Sequence, residues 1–322
     1  MRSFLLPLIT AVTSMMTPVT GASERIPTAT GQFLWREITT PSGARRYKLF
    51  VPSRYDGSAA MPLVVMLHGC TQDPDDIARG TRFNELAEEK SVLVAYPEQP
   101  ESQNPKKCWN WYDPAHQKRD SGEPALIGGI TRQVLHDYRV DSRRVYVAGV
   151  SAGAAMAVIV ALVYPELFAA VGLHSGIAYG AATNVMEALS AMQGKGPDSV
   201  VLASRAREAM QGNSWAIPAI IFQGGSDRTV NVANSAQLVA QVLSMQGGHA
   251  GEPAGKSSGI TADYHYSRVV HGAGDSTVEL WVVDELGHAW SGGSSDGSFT
   301  DTHGPNASSE MMRFFLDHSR SR

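Results

Sequence analysis

The chain has 322 residues, 43% of them hydrophobic, 8% aromatic and 18% charged, which is enough apolar mass for a substantial core and excludes disordered or fibrous polymers. With 27 basic against 31 acidic side chains and a formal charge of -4, it has no electrostatic footprint for a phosphate backbone, which argues against nucleic acid as a partner. Two cysteines, Cys70 and Cys108, exclude a disulfide-dense scaffold or an all-thiolate metal site and leave room for one bridge.

Residues 1–22 open with Arg2, pass through apolar Phe4, Leu5, Leu6, Leu8 and Ile9, and end in Thr20, Gly21 and Ala22 ahead of Ser23. That is the pattern of an export signal cleaved near Ala22, with an unprocessed cytosolic N-terminus as the competing reading. The apolar stretch is shorter than the roughly 20 residues that span a bilayer, and no later run is longer, so stable membrane insertion is not expected. Export would place both cysteines where a bridge persists.

From residue 30 onward, short apolar runs alternate with longer amphipathic stretches, which predicts an α/β fold: a mostly parallel central sheet with helices on both faces, in one domain over 23–322. Residues 47–51 alternate with period two and stop at Pro52, an early, half-exposed strand. Residues 63–67 and 92–96 are unbroken apolar runs, as in strands buried on both faces. Between them, 82–90 has helical spacing, as do 123–138, with Pro124 tolerable in the first turn. A strand over 144–148 leads into a turn at Ser151, then a helix over 154–163 rich in Ala, Val and Leu and ended by Pro165. Further strands are expected over 169–173, 219–222 and 278–283. Residues 100–122, 184–214 and 247–260 break the rhythm and read as loop excursions, since none holds enough apolar residues for its own core.

Gly149, Val150, Ser151, Ala152 and Gly153 match G-x-S-x-G between a predicted strand and a predicted helix, the context this pattern requires. Glycines permit the tight turn, and the serine hydroxyl then projects above the sheet beside a helix N-terminus with unpaired N–H groups. A serine hydroxyl is a weak nucleophile without a base, so a carboxylate and a histidine are required downstream, in that order. Asp227 follows the strand 219–222, and His288 follows the strand ending at Val283, both beyond strand ends on the same side as Ser151. Asp284 competes as the acid but shares a loop with the base. His68, His174 and His303 do not fit the chain order and read as structural. For the oxyanion, the backbone N–H of Ala152 and that of Cys70, in the turn after strand 63–67, are the candidate donors.

Taken together, LHGCTQ, CWNWYDP, RVYVAGVSAGAAM, YPELFAAVGLHSG, FQGGSDRTVNVAN, GHAWSGG and SFTDTHGPNAS resemble the polyhydroxybutyrate (PHB) depolymerase family of esterases, which also includes feruloyl and acetylxylan esterases; the resemblance runs over about 45–317. It implies an α/β-hydrolase fold, a triad of Ser151, Asp227 and His288, and Cys70 at the oxyanion hole. It also implies that Cys70 pairs with Cys108, bringing Trp109 and Trp111 to the rim of the site. Ala154 departs from a second glycine common in the family, a small change that should still pack. No linker and polymer-binding domain follow the motifs, so short oligomers or amorphous polyester are expected rather than crystalline granules.

The leading expectation is a secreted or periplasmic serine ester hydrolase working through an acyl-enzyme with no cofactor and no metal, acting on poly(3-hydroxybutyrate) or its oligomers. Trp109, Trp111 and Trp290 would form an apolar cleft for the chain of ester units, or else simply pack around the disulfide. Feruloyl or acetyl esters of plant polysaccharide are the alternative substrates, and an inactive binding protein on the same fold is the alternative class.

Overall fold

The computed structural model describes residues 30–210, 217–247 and 252–320, so the export signal expected over 1–22 lies outside the described residues. The chain begins with β1 (Gln32–Thr40) and β2 (Gly43–Val51), an antiparallel pair, followed by β3 (Met61–Leu67). Two short helices, α1 (Pro74–Thr81) and α2 (Phe83–Lys90), lead to β4 (Leu93–Pro97), and α3 (Gly122–Asp137) leads to β5 (Val140–Val150). Next come α4 (Ala152–Val163), β6 (Ala170–His174), α5 (Val185–Met192), α6 (Ser199–Ala209), β7 (Ala219–Gly224) and α7 (Ala233–Met245). The chain closes with the hairpin β8 (Gly255–Thr261) and β9 (Tyr264–His271), then β10 (Val278–Val283) and α8 (Ala307–Asp317).

These strands form one ten-stranded sheet in the order β1-β2-β4-β3-β5-β6-β7-β10-β9-β8. Neighbours from β4 through β3, β5, β6 and β7 to β10 are parallel, and both edges are antiparallel. The runs 63–67 and 92–96 are apolar at every position because the sheet is covered on both faces there. Leu63, Val65 and Leu67 of β3 pack into one core with α3, α4, α6 and α7, while Val64 and Met66 face a second core with α1, α2 and α8. Among the described residues no helix is long and apolar enough to cross a membrane.

The expected central strands and helices are present with boundaries shifted by a few residues. Residues 47–51, expected to be half-exposed, are mostly buried because β1 supplies an outer neighbour. β1, β8 and β9 had no clear signal: their partly exposed faces carry mixed polar residues, so no apolar run marks them. Of the excursions, 100–122 is loop with a short turn of 3-10 helix at Pro114–His116, 184–214 carries α5 and α6, and 247–260 enters β8 from Gly255.

α8 docks across β5 and β6, with Phe315 stacked on Tyr146 at 4.9 Å and the Tyr146 hydroxyl donating to the His318 carbonyl at 2.8 Å. The space is supplied by Gly172 in β6, where a Cβ would lie 2.8 Å from Phe315 Cζ and 2.9 Å from Met311 Sδ. Gly172→Val should therefore lower the urea-unfolding stability by about 1–3 kcal/mol through overpacking. An unchanged midpoint would show that α8 is not packed closely against β6.

Candidate active site

The site is built at the carboxyl ends of β5, β7 and β10, where open parallel sheets expose their connecting loops. Ser151 sits between β5 and α4 with φ 56° and ψ -122°, a left-handed backbone costly for a residue with a side chain. Its N–H donates to the His174 carbonyl at 2.9 Å, fixing the turn to the end of β6. Gly153 lies so close under β3 that a Cβ there would run into the Leu67 carbonyl oxygen, and a Cβ on Gly149 would lie 2.5 Å from the Gly153 backbone. The helix can approach the strand this closely only because both positions are glycine.

β10 pairs directly with β7, and this parallel register sets the loop bearing His288 beside the loop bearing Asp227. His288 Nδ1 lies 2.8 Å from Asp227 Oδ2 and its Nε2 lies 3.0 Å from Ser151 Oγ. The remaining Asp227 oxygen accepts the Thr229 and Val230 N–H groups, each at 2.8 Å, and Gln223 Nε2 donates to Oδ2 at 3.2 Å. Burial opposes the charge on Asp227. The hydrogen bond and charge of His288 with the Val230 and Thr229 amides outweigh it, holding the carboxyl below its ordinary value. Such an arrangement holds one imidazole tautomer, with Nδ1–H toward the carboxylate and Nε2 free to take the serine proton. Asp284, the competing acid, is exposed, and its carbonyl accepts from the Ser226 hydroxyl at 2.9 Å.

Cys70 and Cys108 form a disulfide. The turn after β3 is held further by Gln72, whose side-chain carbonyl accepts the Gly69 N–H at 2.9 Å while its amide donates to Asp76 and to the Ser298 carbonyl. Ala152 is the first residue of α4, where a backbone N–H has no intrahelical acceptor, and the dipole end is positive. Behind the cysteine loop lies a buried polar cluster. Glu123 accepts from Gln99 Nε2 at 2.5 Å and from the Asn110 amide and backbone N–H at 2.6 and 2.8 Å. Burial pushes the Glu123 carboxyl up, opposed by nearby His116 and these donors. Arg45 donates to Gln99 and packs over the Trp109 ring.

The tryptophans divide. Trp111 lines a hollow at Ser151, but Trp109 and Trp290, expected at the substrate cleft, are instead packed in the interior at 0% and 1% exposure. Trp109 donates its indole N–H to the His68 carbonyl at 3.0 Å, and Trp290 donates to the Ser308 hydroxyl at 3.0 Å while stacking on His174. Both indoles find their polar partner inside, so burial wins.

Two hollows meet at Ser151. The smaller, about 160 Å³, is bordered by Gly69, Gln72, Thr229, His288 and Phe299. The larger, about 370 Å³, is bordered by Ala152 and by apolar residues including Trp111, Ile177, Leu189 and Val230. Cys70, Ser151 and Met192 border both. Gln72, Met192 and Phe299 were not singled out from the sequence; Gln72 and Phe299 lie within LHGCTQ and SFTDTHGPNAS, but nothing in those strings says which side chain faces the serine. Among the described residues, no group of three or more His, Cys, Asp or Glu side chains is clustered to hold a metal ion.

A family model described as Esterase PHB depolymerase matches residues 45–263. The chain is 31% identical over 253 residues to poly(3-hydroxyalkanoate) depolymerase C of Paucimonas lemoignei, covering 78% of this chain and 59% of that protein. It is 32% identical over 142 residues to feruloyl esterase B of Neurospora crassa, covering 44% of this chain and 47% of that protein. It thus spans less than two thirds of the length of these curated relatives. Among solved structures, an acetyl xylan esterase from Aspergillus awamori shares the fold with a TM-score of 0.72 at 22% identity, covering 88% of this chain and 99% of that one.

His68 and His174 are fully buried, and each accepts a backbone N–H on Nε2, from Gln99 at 3.0 Å and Ser291 at 3.1 Å. Both are therefore neutral, and burial depresses them to about 4 and about 3 respectively. Because these folded values lie below the ordinary histidine value near 6.5, the unfolded chain binds these protons first, so stability is full above about pH 6.5 and falls as pH drops toward 4. The exposed His265–Glu285 pair acts in the opposite direction but is screened by solvent. Urea midpoints should decline between pH 7 and pH 5; a flat profile there would contradict neutral burial of these imidazoles.

Proposed function

The chain belongs to the PHB depolymerase family of esterases, and from that premise we propose that it is a carboxylic ester hydrolase with Ser151 as nucleophile, His288 as base and Asp227 as the orienting carboxylate. The observation that carries this reading is the single imidazole bonded at 2.8 Å to Asp227 and at 3.0 Å to Ser151. Ser151 Oγ attacks the ester carbonyl carbon as its proton passes to His288 Nε2. The carbonyl oxygen becomes an oxyanion, received by the N–H groups of Cys70 and Ala152, each worth about 3 kcal/mol of transition-state stabilisation. The imidazolium, stabilised by Asp227, returns the proton to the departing alcohol oxygen and leaves an acyl-Ser151. A water activated by the same imidazole then releases the acid and restores the serine.

Oligomers of 3-hydroxybutyrate or the amorphous polyester are the substrates this reading favours, supported by the apolar lining of the larger hollow. A second reading, feruloyl or acetyl esters of plant polysaccharide, is supported by the feruloyl and acetylxylan esterases among the relatives and by the Trp111 and Tyr112 rings beside that hollow. Export to the periplasm or medium fits the disulfide, which persists in oxidising compartments.

Ser151→Ala should reduce hydrolysis of p-nitrophenyl butyrate by at least about a thousandfold; persistent activity in that variant removes the triad assignment. Initial rates on 3-hydroxybutyrate trimer, amorphous polymer film, methyl ferulate and acetylated xylan rank the substrate classes, with the trimer and film expected to lead. Mass spectrometry of the exported protein should find a chain starting near Ser23 with Cys70 and Cys108 joined. An intact Met1 or two free thiols would refute export with a bridge.

A further inference from the structure

His288 borders the smaller hollow at Ser151 and not the larger one, and this asymmetry assigns the two halves of an ester. The inference rests on the triad reading. In acyl transfer the proton that His288 takes from Ser151 must next be given to the leaving oxygen, which therefore lies within hydrogen-bond reach of the imidazole. The alcohol part of the substrate thus enters the hollow of about 160 Å³, and the acyl part enters the hollow of about 370 Å³ beside Ala152.

Phe299 is the aromatic wall of that smaller hollow. Its backbone lies at φ 53°, in the left-handed region that bulky residues rarely occupy, and its side chain stays 48% exposed. No burial in the core explains this placement. Neighbouring hydrogen bonds hold it instead. The Phe299 carbonyl accepts the Trp290 N–H at 2.7 Å, the Ser298 N–H donates to Asp76 at 3.0 Å, and the Ser298 carbonyl accepts Gln72 Nε2 at 2.9 Å. On the other side, the Thr300 hydroxyl donates to the Gly297 carbonyl at 2.9 Å. The ring is thereby presented edge-on to His288, with centroids 6.4 Å apart at 70°. Strained, over-determined backbone beside a reaction centre is a mark of a functional position.

We propose that Phe299 is the residue that sets alcohol-side specificity, limiting the width of the alcohol segment next to the scissile oxygen while leaving acyl choice to the larger hollow. The test compares wild type with Phe299→Ala and with Phe299→Gly, which relieves the left-handed backbone. Values of kcat and KM are measured for methyl, butyl and benzyl butyrate and, separately, for methyl acetate, butyrate and hexanoate. The expected result is a gain of about tenfold in the benzyl-to-methyl ratio of kcat/KM, the scale on which a pocket discriminates size, with the acyl-chain ranking unchanged within about twofold. A shift in acyl ranking without a shift in alcohol ranking would show that the hollows are assigned the wrong way round. No shift in either series would remove Phe299 as a determinant while leaving the triad reading intact. Retained hydrolysis in Ser151→Ala would instead sink the triad reading itself. Phe299→Leu, expected to give an intermediate gain, supplies the comparison if thermal melts show that the smaller variants do not fold.

Discussion

The site depends on one close approach, the β5–α4 turn at Ser151. A left-handed backbone at a serine persists only where surrounding contacts over-determine it. Here the constraints come from two sides: the Ser151 N–H is bound to the end of β6, and Gly153 is pressed against the Leu67 carbonyl of β3. The same pressing sets the start of α4 beside the turn that carries Cys70. The candidate nucleophile and candidate oxyanion donors are thus located by backbone contact between three neighbouring strands. Flexible side chains have little part in it, and α4, buried along its whole length, adds a helix that cannot shift independently of the core.

Charge is distributed around this turn by burial. Two imidazoles near the site, His68 and His174, are held neutral as hydrogen-bond acceptors for backbone amides. A third, His288, faces a carboxylate that is kept ionised by four donors. A histidine whose Nε2 already accepts a backbone N–H cannot also serve as a base toward Ser151, so the local hydrogen bonds separate the roles of chemically identical side chains. Glu123 is a different case. Its carboxyl takes donors from Gln99 and Asn110, with the His116 ring 3.6 Å away, and it stiffens the loop that Cys108 ties to the site.

Much of the central sheet was legible because strands buried on both faces must be apolar at every position, and such runs stand out at 63–67 and 92–96. The edge strand β8 and its neighbour β9 were not, since a partly exposed strand mixing Ser, Gly, Tyr and His with apolar residues has no distinctive periodicity. The three tryptophans singled out show the limit for side chains. Trp109, Trp111 and Trp290 are chemically equivalent in a string of letters. Only the location of a hydrogen-bond acceptor, the His68 carbonyl for one and the Ser308 hydroxyl for another, separates the two interior rings from the one at the hollow.

The sequence by itself determined the class of architecture and the chain positions of Ser151, Asp227 and His288, because glycine punctuation and apolar runs are local consequences of steric and solvation rules. Tertiary structure decided what shares a wall. β10 pairs with β7, so His288 meets Asp227; Asp76 binds Ser298, so Phe299 faces His288; and Met192 at the end of α5 borders both hollows. These are contacts between residues far apart in the chain, set by strand order and loop packing, and no local pattern encodes them.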